Sequence, residues 1–338
     1  MNKHVMTVLL TVATLSATPL KAQSPSSPLP HYQSEQALSG HLRFVAESST
    51  EKLTNLWVDR FKKLHPKLNL IAKLTSPLAA IPMVTSGACD LGFPAREAWP
   101  YEAGMFRQVR GYDISVIRVG LGALKTTGFS PTLGIYVNAN NPIERLTMAQ
   151  LDAIYSSERR RGYPTDIKTW GDVGVTGEWA RRPIKAYAHR LPSGVRYYLQ
   201  EVVTRGAEFK RSVIELDMRA GTLGPDDMMA RATAADPDAI GHGCFGNLIP
   251  GMKTIPIAES ARGPYYAGTL EEVKTMKYPL TRPIYMFVDR PPGQPLSQNV
   301  REFLSFLLSQ EGQQTIVDAG EWLPLPAQEV VKEREKLK

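Results

Sequence analysis

Cysteine is nearly missing from this chain: 338 residues carry two, Cys89 and Cys244. A disulfide framework is therefore excluded as the main source of stability, and the sequence leaves open whether this pair is bridged. Long apolar runs are missing too. The apolar stretch inside "MNKHVMTVLLTVATLSATPLKA" (1–22) is too short to span a bilayer. Its positive start (Lys3, His4), apolar middle and small-residue end read as a secretory signal peptide cleaved after Ala22. No cysteine sits there to take a lipid, so the mature chain is expected in the periplasm as a monomer. The six histidines show no metal-ligand spacing, and no G-x-S-x-G is present. Basic and aromatic residues are not interleaved as in a nucleic-acid platform. No metal, cofactor or nucleic-acid partner is expected.

Dropping Lys3 and Lys21 takes the formal charge from +7 to +5, a modest balance that fits a small acidic ligand. Residues 23–40 are polar and rich in Ser and Pro, and read as a flexible leader. What remains, about 300 residues, suffices for two lobes.

Apolar spacing predicts alternating strands and helices. "HLRFVA", "LNLIAKL", "ACDLGFP", "ISVIRVGLGAL" and "LGIYVNANNP" read as strands. Between them, Leu53, Leu56, Trp57, Phe61 and Leu64 line one helical face. "TSPLAAIPMVTSG" reads as a helix capped by Ser76, with Pro77 at its first position. Thr147 caps a helix in "LTMAQLDAIYSS", "RPIKAYAHR" is a strand, and "QNVREFLSFLLSQEGQQTIVDAG" is one amphipathic helical stretch. This pattern predicts an α/β fold with largely parallel sheets.

Three places share one design: a strand that runs into a helix N-terminus through small hydroxyl residues. They are Ser48-Ser49-Thr50, Thr75-Ser76 and Ser193-Gly194-Val195, the last preceded by Arg190 and followed by Arg196. Capping explains any one of them. Three at the carboxyl edge of a sheet point to an anion-binding cleft, because each helix start presents open N–H groups and a positive dipole end. "GHGCFG" (241–246) matches the dinucleotide fingerprint by letter. The following "NLIPGMKTIPI" holds two prolines and no amphipathic helix, so no dinucleotide is expected there.

The motifs in order carry a resemblance. "AESSTEKLTNLWVDRF", "TSPLAAIPMVTSGACDLGFPARE", "VNANNPIERLTMAQLDAIYS", "TWGDVG", "RLPSGVR", "DPDAIGHGCF", "YPLTRPIYMFV" and "FLSFLLSQEGQQTIVDAGEWLPL" follow the sequence of features in PstS-type phosphate-binding proteins. These are periplasmic receptors that feed ABC importers, and the chain resembles them over roughly 41–326. The resemblance implies a two-lobed clamshell with two hinge-crossing strands. Lobe one would comprise 41–137 and 285–326, lobe two 138–284, with 327–338 as a tail. It further implies that Ser48, Ser49, Thr50 and Ser76 from lobe one, and Arg190, Ser193, Gly194 and Val195 from lobe two, hold an oxyanion, phosphate first. An inner-membrane ABC permease would receive it.

Two positions depart from the family pattern. Val195 stands where the family has threonine, which removes a hydroxyl. Arg96 aligns with the aspartate that accepts the proton of hydrogen phosphate, and an arginine can only donate. Glu47 and Glu97 are the nearby carboxylates that could replace it. The departures keep a second expectation in view, a degenerate relative used in signalling or scaffolding. A third, a hydrolase of phosphate esters, would need His189 to meet Ser193, for which the sequence gives no reason.

Overall fold

The computed structural model describes residues 29–34, 36–124, 130–217 and 225–338; the expected signal peptide and its cleavage point lie outside them. The first part of the chain runs β1 (Gly40–Glu47), α1 (Glu51–Leu64), β2 (Leu68–Thr75), α2 (Ala80–Thr85), β3 (Leu91–Phe93), α3 (Pro100–Arg110) and β4 (Ser115–Gly122). A middle part follows with β5 (Leu133–Asn138), β6 (Leu146–Thr147), α4 (Met148–Tyr155), β7 (Lys185–His189), α5 (Gly194–Val202) and β8 (Ile214–Leu216). It continues through α6 (Pro225–Ala235), β9 (Ala239–Cys244), β10 (Met252–Thr254), β11 (Ile257–Ala258) and α7 (Leu270–Lys274). The last part is β12 (Pro283–Val288), α8 (Gln298–Leu307), α9 (Gln310–Ala319), β13 (Trp322–Leu323) and α10 (Ala327–Glu335).

Two sheets carry two lobes. One has the order β13-β4-β12-β3-β1-β2, the other β10-β5-β9-β7-β8. Both are mixed rather than largely parallel. β1 pairs in parallel with β2 and β3, but β12 enters antiparallel between β3 and β4. In the second sheet β7 pairs in parallel with β8 and β9, and β5 runs against β9 and β10. Periodicity shows that a strand exists but not its direction, which is set by the returning chain.

The lobes are joined by two crossing segments that run side by side. Gly122 N–H donates to the Arg282 carbonyl (2.7 Å), and Thr132 N–H to the Ala123 carbonyl (3.0 Å). By sheet membership β5 belongs to the five-stranded sheet and β12 to the six-stranded one, on opposite sides of the crossings.

Each lobe has its own core. In the first, Leu53, Trp57 and Phe61 recur at four-residue spacing on α1 and bury against Phe44, Phe93 and Phe303. The Trp57 indole also donates to the Gly312 carbonyl of α9 (3.1 Å), satisfying its one polar atom. In the second, Leu151, Ile154 and Tyr155 of α4 join Trp170, Leu199 and Ile240.

Three segments take definite form here. The amphipathic stretch after Gln298 is two helices, broken at Leu308, with the Ser309 hydroxyl accepting from Gly312 N–H (3.2 Å) to start α9. The expected tail forms α10, whose Val330 is buried in the first core while Glu333 accepts from Arg118 N–H (3.0 Å). The leader is not loose where it is described: Leu29 and Leu38 enter the same core, and the Tyr32 hydroxyl donates to Glu302 (2.8 Å) beside His65 (2.7 Å). Polar composition concealed three well-spaced apolar anchors.

The GHGCFG segment is strand β9 followed by a single turn. Its glycines serve packing: a Cβ at Gly241 would come within 2.6 Å of the Thr233 hydroxyl on α6, and one at Gly243 within 2.9 Å of the Tyr136 ring. Cys89 and Cys244 are both buried thiols, and burial raises Cys89 to about 12.

Candidate functional site

The first two turns lie together at the carboxyl edge of the first sheet. β1 and β2 end in register, Glu47 beside Thr75, and the Ser48 hydroxyl donates across to the Thr75 carbonyl (3.0 Å). Glu47 already serves this helix start. Its carboxylate is 4% exposed and accepts from the N–H of Ser49 (2.8 Å) and from the Ser49 hydroxyl. Thr50 is buried, with its hydroxyl donating to the Glu47 carbonyl (2.7 Å). The turn is therefore an acidic cap, and of its three hydroxyls each has an internal acceptor.

Ser76 does not cap a helix. It begins a turn in which Ala79 N–H donates to its carbonyl (3.0 Å), and α2 starts only at Ala80. The first helical hydrogen bond runs from Met83 N–H to the Ala79 carbonyl (2.9 Å).

Arg96 is interior structure. Its guanidinium forks onto Glu102 with two contacts of 2.7 Å, donates to the Glu97 carbonyl (2.8 Å) and Pro77 carbonyl (3.2 Å), and lies 4.0 Å over the Trp99 ring. Glu102 in turn accepts from Trp99 N–H (2.8 Å), fixing the start of α3. Arg96 thus ties the exit of β3 to the Ser76–Pro77 turn, and its fork is filled by protein.

On the second lobe, Ser193 caps α5 as its sequence implies: its hydroxyl accepts from Arg196 N–H at 3.4 Å. The same hydroxyl lies 3.4 Å from His189 Nδ1, because the Arg190–Pro192 turn folds the cap back over the end of β7. The two side chains meet after all, and His189 is pushed down to about 4 by burial and then by the Arg196 charge. Val195 packs against the lobe-two core. Arg190 points outward to Asp217 (2.9 Å) with a 60% exposed side chain. Arg196 points inward, 3.6 Å over the Phe209 ring. The two arginines flanking the turn diverge instead of converging on it.

The arginine that does reach the turn is Arg282, on the second crossing. Its Nη2 donates to the Gly194 carbonyl (3.2 Å), the first residue of α5. Its Nε and Nη2 also fork onto the two oxygens of Glu97 (3.0 and 2.7 Å), on the loop after β3. A Cβ on Gly194 would lie 3.4 Å from Nη2 and 3.6 Å from the Trp99 Nε1, ordinary contact distances that show how near these three segments come. Trp99 and Tyr197 then face one another across the lobes with ring centroids 5.1 Å apart. Arg282 stands in the quoted "YPLTRPIYMFV", but one arginine before a Pro-led strand gives no signal of its own. Trp99 and Tyr197 give none either.

Two hinged lobes meeting at a helix N-terminus, with one buried arginine between them, define a two-lobed binding protein. Residues 32–311 match the PBP superfamily domain. The chain is 31% identical over 299 residues to the phosphate-binding protein PstS of Pseudomonas aeruginosa, covering 88% of this chain and 87% of that one. In fold it is similar to an ABC-type phosphate transport receptor from Vibrio cholerae (TM-score 0.52, 18% identity, 83% of this chain and 99% of that one). PstS from Borrelia burgdorferi gives a TM-score of 0.53 at 14% identity, over 85% and 99% of the two chains. The chain belongs to the PstS family of binding proteins within the PBP superfamily. That family binds rather than transforms its ligand.

Proposed function

We propose that the protein is a receptor for an oxyanion, phosphate first, captured between the lobes and passed to an ABC permease from the periplasmic side of the membrane. Arg282 carries this reading: a guanidinium only 2% exposed, at the junction of both lobes and the open start of α5. A planar fork and a ring of N–H donors suit two oxygens of a tetrahedral anion in a water-poor cleft. Ser193, Gly194 and Val195 supply the helix start on one lobe. Ser48, Ser49, Thr50 and Ser76 form the facing rim, with Arg96 bracing it and Arg190 at the outer edge. Secretion follows from the signal peptide read in residues 1–22.

A second reading, a relative with altered or lost anion binding that serves in signalling or as a scaffold, is favoured by Glu47. Its carboxylate occupies the start of α1, where an anion would otherwise be drawn. Thermal unfolding of the mature protein with phosphate, sulfate, arsenate or molybdate separates the two. A ligand at a hundredfold over its dissociation constant stabilises by about 2.7 kcal/mol, a clear shift in Tm. A shift with phosphate that Arg282→Met abolishes supports the receptor; no shift with any of the four anions supports the second reading.

A further inference from the structure

Glu97 is a carboxylate seated on the arginine that joins the lobes. Each of its two oxygens takes one N–H from Arg282, the arrangement an incoming oxyanion would adopt on the same fork. Side-chain exposure is 3% for Arg282 and 17% for Glu97, so the pair is largely withdrawn from water. The three groups come from three segments: Glu97 from the loop after β3, Arg282 from the second crossing, and the Gly194 carbonyl from α5. Two residues past Glu97, Trp99 lies against Tyr197 of the other lobe. The β3–α3 loop therefore touches lobe two directly and through Arg282.

A second anion arriving at Arg282 meets a full negative charge already in contact with it. One guanidinium cannot hold two anions at hydrogen-bond distance without their repelling each other, least of all in a buried place where water screens little. The neighbouring charges do not relieve this. Arg96 is committed to Glu102, and Arg190 to Asp217. We propose that Glu97 is an internal stand-in for the ligand: it occupies Arg282 and clamps the lobes together when the cleft is empty, and an oxyanion binds by displacing it. The displacement half rests on the receptor reading above; the clamp half does not.

Small-angle scattering of the ligand-free protein and calorimetric titration with inorganic phosphate test the two halves, using wild type, Glu97→Gln and Glu97→Ala. Circular dichroism admits only folded variants, and the two substitutions guard against one of them failing to fold. The expected result is a larger radius of gyration for the ligand-free variants and phosphate affinity at least tenfold tighter than wild type. Phosphate binding to wild type with equal or weaker affinity in the folded variants overturns the proposal and leaves the receptor reading standing. Expansion of the variants with no phosphate uptake by any of the three proteins keeps the clamp and overturns the receptor reading. Unchanged scattering overturns the clamp.

Discussion

Arg96 in the first lobe and Arg196 in the second are both almost fully buried, at 1% and 3% exposure. They are held in opposite ways. Arg96 has a carboxylate fork with 0% exposure on the partner side chain, two carbonyls and an indole face. Arg196 has the Phe209 ring beneath it and Glu215 no nearer than 3.5 Å, and its Nε and Nη1 make no hydrogen bond among the described residues. Burial lowers Arg196 in consequence. Arg96 too leaves its Nε without a hydrogen bond among the described residues, but a charge met by a close carboxylate fixes the geometry around it, whereas one without such a partner imposes its field on its neighbours. In lobe one the answered charge shapes a rim. In lobe two the field, added to burial, keeps His189 and the fully buried His242 neutral.

The sharpest way to break this contrast is to strip each arginine. Glu102→Gln leaves Arg96 buried without its counter-ion and should cost about 3–5 kcal/mol in urea unfolding. Arg196→Met removes a poorly paired charge with little change in volume and should cost less than about 1 kcal/mol. Equal losses in the two variants would end the distinction.

Acid probes the second lobe next. His189 sits at about 4 when folded against 6.5 when unfolded, so the unfolded chain takes up its proton first as pH falls. Stability from this group is complete above pH 6.5, declines between 6.5 and about 4, and is level below that. The loss is on the order of 3 kcal/mol at most. Wild type minus His189→Leu, followed by unfolding across that window, should isolate the slope; parallel curves would show that His189 is not desolvated as described.

Smaller effects refine the picture at the α5 turn. Ser193→Ala removes the cap and should cost about 1 kcal/mol by thermal unfolding. Arg190→Ala breaks only an exposed pair with Asp217 and should change stability by less than about 0.5 kcal/mol. A larger loss from Arg190→Ala than from Ser193→Ala would mean that Arg190 folds inward.

Capping at Ser193 and Thr147 was legible because a cap is local: a hydroxyl three residues ahead of an amide needs nothing from the rest of the chain. The alternation of strands and helices was legible for the same reason, down to the α1 face. Ser76 misled because a serine before a proline opens a turn as readily as a helix, and α10 because its short sequence hides which neighbour buries Val330. The site was least legible where its parts come from afar. Arg282 meets Glu97 across 185 positions and Gly194 across 88, and no spacing rule reaches that distance. Arg96 and Arg196 carry the same letter beside similar helix starts, yet only folded neighbours distinguish a strut from a field source.

The order of assembly follows from β12. It is an interior strand of the six-stranded sheet, yet it is made after the whole of the other lobe. As a growing or threading chain emerges from its amino end, β1 to β4 must wait with a gap between β3 and β4 until residues past 283 arrive. The five-stranded sheet has all its strands by residue 254, and the rest of its core, through Leu280, still precedes β12, so that lobe can close first. The half that begins the polypeptide is the half that finishes last, so limited proteolysis of nascent chains of increasing length should show protection at β9 before β1.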